Sequence, residues 1–127
     1  MYLIIDLEAT CWENHYNNVN EIIEIGAVLL DDNYGILGEL QAFVKPIKSP
    51  VLSAFCKGLT SITQEDIDRA ETFFVVFNTF VTWVEKTAGD KIENIVFCSW
   101  GYYDEKQLIK DCLLHKVQYP FSKHRSL

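Results

Sequence analysis

The sequence predicts a mixed α/β fold, in which helices pack against a β-sheet. An apolar run at Tyr2–Ile5 opens the 127-residue chain, and stretches rich in strand-forming residues follow at Glu21–Leu30 and Ile36–Val44. From Thr72 onward the apolar spacing becomes helical, and a further apolar strand comes at Ile95–Trp100. Because a helical crossover precedes this last strand, it can lie parallel to the first strand in one sheet.

The composition is that of one globular domain, which we expect to span residues 1–127. Apolar residues make up 49% and charged residues 23% of the chain, whose formal net charge is −7. This charge argues against broad electrostatic binding along nucleic acid, but not against an enzyme that grips a few nucleotides through metal ions. No apolar run approaches the ~18 residues of a membrane-spanning helix, and no basic leader precedes the first strand. We therefore expect a cytoplasmic protein that does not contact membranes.

The four cysteines, Cys11, Cys56, Cys98 and Cys112, are widely spaced and include no C-x-x-C pair. This pattern predicts reduced thiols in or near the core, not a zinc site or a disulfide framework.

The strand elements follow from local composition. The opening run contains no turn residue, so we expect the first strand to be buried on both faces. Trp12–Asn20 is rich in asparagine and is expected to be a surface loop. Asp31–Gly35 is a turn signal between the second and third strands, which predicts an antiparallel pair.

Four helices are expected between and after the strands. Ser49 and Pro50 are typical of a helix start, which predicts a first helix over Val51–Lys57 that Gly58 closes. A capping pattern at Thr63–Asp66 indicates a second short helix. The spacing of apolar residues in Thr72–Lys86 predicts a core-packed helix, and Glu105–His115 follows the last strand as an amphipathic helix.

The chemistry of the sequence lies in three carboxylates. Asp6 and Glu8 are two residues apart on a strand, so both side chains point to the same face. Two neighbouring anions favour a hard divalent cation such as Mg²⁺ or Mn²⁺, although ordinary surface acids are the alternative. Asp104 follows the Ile95–Trp100 strand, where it serves either as a third ligand or simply as a helix N-cap.

Four stretches together resemble the DEDDh 3′→5′ exonucleases, in the ERI-1-like or three-prime histone exonuclease-like branch. Asp6–Cys11 is similar to the first exonuclease motif and Glu21–Val28 to the second strand of that family. Leu52–Ile67 is similar to the S-x-F-C-x-x-L-T-x-I-T segment of the branch, and Ser99–Asp104 to the second exonuclease motif.

This resemblance implies a ribonuclease H-like fold and a nuclease that removes nucleotides from the 3′ end of single-stranded RNA, with DNA left open. Asp6, Glu8 and Asp104 would hold two Mg²⁺ or Mn²⁺ ions for an in-line displacement at phosphorus. Glu24 matches a recurrent acid of the second strand, which we interpret as structural.

The resemblance also implies contacts with substrate. Ala9 and Thr10 would touch the terminal nucleotide, while Phe55, Leu59 and Thr60 would lie against the last bases, with Leu59 as a wedge between them. Core packing is the alternative interpretation of Phe55 and Leu59.

The third motif of the family, H-x-A-x-x-D, is absent from the 127 residues. We expect His115 and His124 to be exposed and not to replace its histidine. The sequence resembles about the N-terminal two-thirds of the family domain, with the last strand and the closing helices incomplete. The chain alone is therefore expected to bind metal weakly and to show little or no exonuclease activity.

Two other functions are compatible with parts of the pattern. Asp6-x-Glu8-x-Thr10 differs by one substitution from the D-x-D-x-T motif of haloacid-dehalogenase-like phosphatases, although the three opening strands argue against that class. A non-catalytic module that binds RNA 3′ ends or a protein partner is the other alternative, because the third motif is missing.

Overall fold

The computed structural model describes residues 1–14 and 19–127, so the central part of the predicted Trp12–Asn20 loop lies outside the described residues. The strands are β1 (Tyr2–Ala9), β2 (Ile22–Leu30), β3 (Ile36–Phe43), β4 (Val96–Ser99) and β5 (His124–Ser126). The helices are α1 (Ala54–Thr60), α2 (Gln64–Asp68), α3 (Phe73–Ala88) and α4 (Tyr103–Leu114), with a 3-10 turn at Ile92–Asn94.

Within the described residues the strands form one mixed sheet in the order β3-β2-β1-β4-β5. β2 pairs antiparallel with both β1 and β3, whereas β4 pairs parallel with β1 and with β5. The predicted parallel arrangement of β1 and β4 is confirmed. Their pairing reaches only Ile4 of β1, opposite Cys98, so the second half of β1 extends beyond the end of β4.

The two faces of β1 differ, and the prediction that both are buried is wrong. Leu3, Ile5 and Leu7 are buried in the main core, which α3 and α4 complete. Ile4 is half-buried and Asp6 exposed on the opposite face, which borders a shallow groove of about 590 Å³. The period-2 alternation of a strand separates these two sets even within a continuous apolar run.

α3 follows its predicted pattern closely. Phe73, Phe77, Phe80 and Val84 are buried along one side of the helix, and the helix packs against β2 and β3. Gly89 then ends it in the left-handed conformation with φ 66°, where its N–H donates to the Glu85 carbonyl oxygen at 2.9 Å.

α1 does not begin where the sequence predicted. Ser53, and not Ser49, is the N-cap residue, because its Oγ accepts a hydrogen bond from the Cys56 N–H at 3.0 Å. Gly58 lies inside the helix, which ends at Ser61 with φ 62°. The Ser53 hydroxyl also donates to the Cys11 carbonyl oxygen at 2.7 Å, and this tertiary contact selects one of two plausible serine caps.

α2 has the predicted capping box, since Thr63 and Asp66 exchange side-chain to backbone hydrogen bonds. Both short helices pack over a second, smaller core cluster, whose buried members are Ile23, Leu52, Cys56, Ile62 and Ile67. In the part of the chain that the structure describes, no helix has the length and apolarity needed to cross a membrane.

We predict that Ser53→Ala lowers the free energy of unfolding by about 1–2 kcal/mol, because it removes both a cap and a tertiary hydrogen bond. Urea unfolding of the variant and wild type measures this difference. Ser49→Ala is the matched control and should change stability by less than about 0.5 kcal/mol. An equal loss in the two variants would contradict the assigned cap.

Candidate active site

Asp6 and Glu8 lie side by side on the open face of β1, near its C-terminal end. Asp6 is exposed and Glu8 is half-buried. Glu8 is directly opposite Glu24 in the antiparallel pairing of β1 with β2, and the Glu24 carboxylate accepts a hydrogen bond from Gln41 Nε2 at 2.7 Å. Like charges placed across a strand pair are destabilising, which makes this end of the sheet a region of concentrated negative charge.

Asp104 is brought to the same place by α4. It is the second residue of the helix and is 6% exposed, so the alternative interpretation as an N-cap is wrong. Its Oδ1 accepts a hydrogen bond from the Leu7 N–H at 3.1 Å. Leu7 lies between Asp6 and Glu8, so this bond attaches the third acid to the backbone between the other two.

The electrostatics of the site reflect this crowding. Burial raises the pKa of Glu8, and the charges of Asp6, Glu24 and Asp104 raise it further. Burial also raises the pKa of Asp104; the Leu7 N–H opposes this rise and the charge of Asp6 adds to it. The arrangement disfavours full ionisation unless a cation is present.

The donor set fits a hard divalent cation, because it consists of carboxylate oxygens. Among residues 1–14 and 19–127, however, no group of three or more acidic, histidine or cysteine side chains is already arranged tightly around one point. Carboxylates repel one another without a cation between them, so we expect Asp6, Glu8 and Asp104 to turn inward when an ion binds.

The other predicted contact residues divide into two groups. Ala9 and Thr10 are 6% and 2% exposed, and the Thr10 hydroxyl accepts a hydrogen bond from the Glu21 N–H at 2.9 Å. Phe55 and Leu59 are 41% and 68% exposed, which shows that the core-packing interpretation of both is wrong. Being four residues apart, they share one face of α1.

α1 stands directly beside the segment that follows Glu8. The Cys56 thiol lies 3.8 Å from the Ala9 carbonyl oxygen, and Ser53 binds the carbonyl of Cys11. Thr60 is half-buried, and its hydroxyl donates to the Cys56 carbonyl oxygen within the same helix at 2.8 Å. The exposed pair Phe55 and Leu59 is thus anchored next to the acidic site.

Two buried acids, Glu21 and Asp111, hold backbone segments near the site through hydrogen bonds. The sequence did not predict this network. The Glu21 carboxylate, 1% exposed, accepts backbone hydrogen bonds from residues 47, 48 and 49 at 3.0, 2.7 and 3.2 Å. The carboxylate of Asp111 accepts from the Ile22 N–H at 2.7 Å and from Gln107 Nε2 at 2.9 Å. Both acids look like ordinary charged residues in the sequence, since their backbone partners are distant along the chain.

Tyr103 is a further candidate that the sequence analysis did not single out. The residue is 57% exposed. Burial raises the pKa of its hydroxyl group, and the charges of Asp104 and Glu8 contribute to the rise. The sequence feature that could have indicated Tyr103 is its position directly before Asp104.

The expectation that His115 and His124 are exposed is wrong. The His115 side chain is 7% exposed and its Nε2 lies 3.9 Å from the Glu21 carboxylate, away from the three acids. The His124 side chain is 10% exposed, and both ring nitrogens face protein partners. Neither ring is free to accept a proton from a water beside Asp6, and His15 lies outside the described residues.

The strand order, with two acids on β1 and a third in the first turn of α4, defines a ribonuclease H-like nuclease fold. A family model described as Exonuclease matches residues 3–123, so the chain belongs to the exonuclease family. Within that family it is an ERI-1-like member of the DEDDh group. The haloacid-dehalogenase-like alternative is wrong, because β1 pairs antiparallel with β2 and the matched family is a nuclease family.

Similar proteins support this assignment. ERI1 exoribonuclease 2 of Danio rerio is 45% identical over 83 residues, which are 65% of this chain and 15% of that protein. 3′-5′ exoribonuclease 1 of Rattus norvegicus is 38% identical over 120 residues, covering 92% of this chain and 35% of that protein. The nuclease domain of 3′hExo, a DEDDh family member bound to rAMP, has a TM-score of 0.85 at 37% identity, covering 94% of this chain and 61% of that chain. The chain thus spans less than two-thirds of each.

We predict a pH dependence of stability from Asp111, whose pKa is raised to about 6, mainly by burial. The unfolded chain has an ordinary aspartate pKa, so the folded chain binds the proton more tightly between the two values. This stabilisation is complete below about pH 4, decreases as the pH rises to 6, and amounts to about 3 kcal/mol.

Asp111→Asn should therefore reduce the decrease in unfolding free energy between pH 4 and pH 7, measured by urea unfolding at both values. Glu39→Gln, which removes an exposed carboxylate on β3, is the control and should leave that decrease unchanged. A wild-type decrease retained in full by Asp111→Asn would contradict the assignment.

Proposed function

We propose that this chain is the core of a metal-dependent 3′→5′ exonuclease domain that removes nucleotides from the 3′ end of single-stranded RNA. Residues 1–127 would form about the N-terminal two-thirds of that domain. Asp6, Glu8 and Asp104 would carry this activity.

The observation that carries the proposal is the hydrogen bond from the Leu7 N–H to Asp104 Oδ1. It joins residues 97 positions apart and places a buried acid beside two acids of the first motif. A protein that needed only a stable sheet would gain nothing from three neighbouring carboxylates, two of which have raised pKa values. Functional sites are where such unfavourable charge clusters occur.

Asp6, Glu8 and Asp104 would hold Mg²⁺ or Mn²⁺, two ions in the intact family site. When bound, the metal supplies activation of the attacking water and stabilisation of the leaving 3′ oxygen. The protein holds the acids in place: the β1 backbone presents Asp6 and Glu8 to one face, and the Leu7 N–H holds Asp104. Glu24 remains outside this set as a structural acid that Gln41 holds.

Phe55 and Leu59 would contact the terminal bases, because both are exposed on the face of a helix that is anchored beside the acids. The buried Ala9 and Thr10 would contribute through their backbone and through the shape of the pocket floor, and Thr60 through holding α1. Apolar contacts with bases suit single strands, whose bases are unstacked. RNA is preferred in this proposal because the similar proteins are exoribonucleases and the 3′hExo domain was bound to rAMP.

A general base is not provided by the residues described. The 127 residues contain no H-x-A-x-x-D sequence, and His115 and His124 are engaged elsewhere. We therefore expect the chain on its own to bind metal weakly and to hydrolyse RNA slowly or not at all.

We predict that Asp6→Asn lowers Mn²⁺ affinity at least about tenfold, the effect of removing one charged ligand from a small site. Calorimetric titration of the 127-residue chain measures the affinity, and release of labelled mononucleotide from 3′-end-labelled single-stranded RNA measures the activity. Glu39→Gln, an exposed acid that borders the same groove, is the matched control.

Equal Mn²⁺ affinity in wild type and Asp6→Asn would contradict the proposed metal site. RNA binding that is independent of Mn²⁺, in a chain that binds no metal, would support the non-catalytic module instead. Rapid mononucleotide release by wild type would show that a residue of this chain replaces the missing histidine.

We predict that Leu59→Ala weakens binding of a short fluorescent single-stranded RNA by about fivefold, since an exposed apolar wedge contributes about 1 kcal/mol. Anisotropy at about 50 mM salt with Mn²⁺ measures the affinity, because a chain of net charge −7 binds RNA weakly at higher salt. Leu113→Ala on α4, where Leu113 is 76% exposed, is the control. Identical affinities of the two variants would contradict the role of Leu59.

A further inference from the structure

His124 occupies a central position between three elements of the fold. Its Nε2 lies 2.8 Å from Ser99 Oγ at the end of β4, and its Nδ1 lies 2.9 Å from a Glu105 carboxylate oxygen in the first turn of α4. The ring centroid is 5.3 Å from that of Phe97 and 5.4 Å from that of Tyr102. His124 itself lies on β5, so one side chain links β5, β4 and α4.

The hydrogen-bond partners determine where the protons are. Ser99 Oγ donates its only proton to the Gly101 carbonyl oxygen at 2.9 Å, so it can only accept from His124 Nε2. The Glu105 carboxylate can only accept when ionised, so Nδ1 must also donate. The ring thus contacts Ser99 through Nε2 and Glu105 through Nδ1, and it lies beside the rings of Phe97 and Tyr102.

This proton arrangement excludes a serine hydrolase, although serine, histidine and glutamate are in contact. Ser99 is 0% exposed, and its proton is directed to Gly101 and not to the histidine. A nucleophilic serine needs an exposed Oγ and a neutral histidine that accepts its proton. The three residues therefore have a different role.

His124 contacts both ends of the Ser99–Glu105 segment, which carries Asp104. Ser99 is the first residue of this segment and Glu105 is the last. Between them Gly101 takes the left-handed conformation with φ 75°. This backbone has few strand contacts of its own, because β4 ends at Ser99. Two bonds to one ring close the segment at both ends and limit how far Asp104 can move from the Leu7 N–H.

We propose that His124 is a positioning residue of the nuclease site: it holds the Ser99–Glu105 segment so that Asp104 and Tyr103 lie beside Asp6 and Glu8. His124 exchanges no proton with the substrate. The consequence for metal binding rests on the proposed function, whereas the effect on the Leu7–Asp104 hydrogen bond does not.

The test uses His124→Ala in the 127-residue chain and observes the Leu7 amide by ¹H–¹⁵N NMR. We expect Leu7 amide exchange to become at least about tenfold faster relative to the amides of β2, which report global opening. Mn²⁺ affinity should fall severalfold in the same variant.

Conservative replacements distinguish positioning from general packing. His124→Asn retains a donor toward Glu105 and His124→Gln retains one toward Ser99, so each should restore part of the Leu7 protection that alanine loses. Glu65→Gln is the matched control, because it breaks an ion pair with Arg69 on α2, remote from this segment. If His124→Ala does not fold, Ser99→Ala and Glu105→Gln make the same test one bond at a time.

Unchanged Leu7 exchange in folded His124→Ala, or in both single-bond variants, would overturn the proposal. If wild type binds no Mn²⁺, the proposed nuclease function fails, and the Leu7 amide still decides whether His124 positions Asp104.

Discussion

The hydrogen bond between the Leu7 N–H and Asp104 is the constraint on which the site depends. It exists because β4 is short and pairs with β1 only as far as Ile4. Beyond that point no strand of the described residues pairs with this edge of β1, and buried backbone donors are costly to leave unpaired. The carboxylate of Asp104 accepts a hydrogen bond from one of these donors, the Leu7 N–H. The need to pair this backbone group therefore fixes where Asp104 lies in the site.

The same constraint explains why the surrounding structure is rich in buried polar groups. α4 must lie across the ends of β1 and β2 for Asp104 to reach Leu7. Further along the same helix, the Asp111 carboxylate accepts a hydrogen bond from the Ile22 N–H. Glu21 in turn holds the loop that leads to α1. Each of these acids carries a desolvation cost, which hydrogen bonds from the backbone offset in part. These buried acids lie at the same end of the sheet as the carboxylates of Asp6, Glu8 and Asp104.

Much of this could be predicted from sequence, and the failures have a common cause. The parallel arrangement of β1 and β4, α3 and the adjacency of the acids followed from periodicity and crossover rules, which depend on local patterns. The cap of α1 was misassigned because Ser49 and Ser53 are equivalent locally, and only the contact of Ser53 with Cys11 distinguishes them. His124 was expected to be exposed because its neighbours are basic, yet its ring contacts lie on β4 and α4.

The sequence by itself determined the family, the sheet and the identity of the three acids, because these depend on residue type and on spacing along the chain. Only the tertiary structure decided that Phe55 and Leu59 are exposed beside the site and that Glu21 and Asp111 are buried beneath it. It also decided that the backbone of β1, through the Leu7 N–H, holds the Asp104 carboxylate. Burial and hydrogen-bond partners are properties of residues brought together from distant parts of the chain, so no local pattern encodes them.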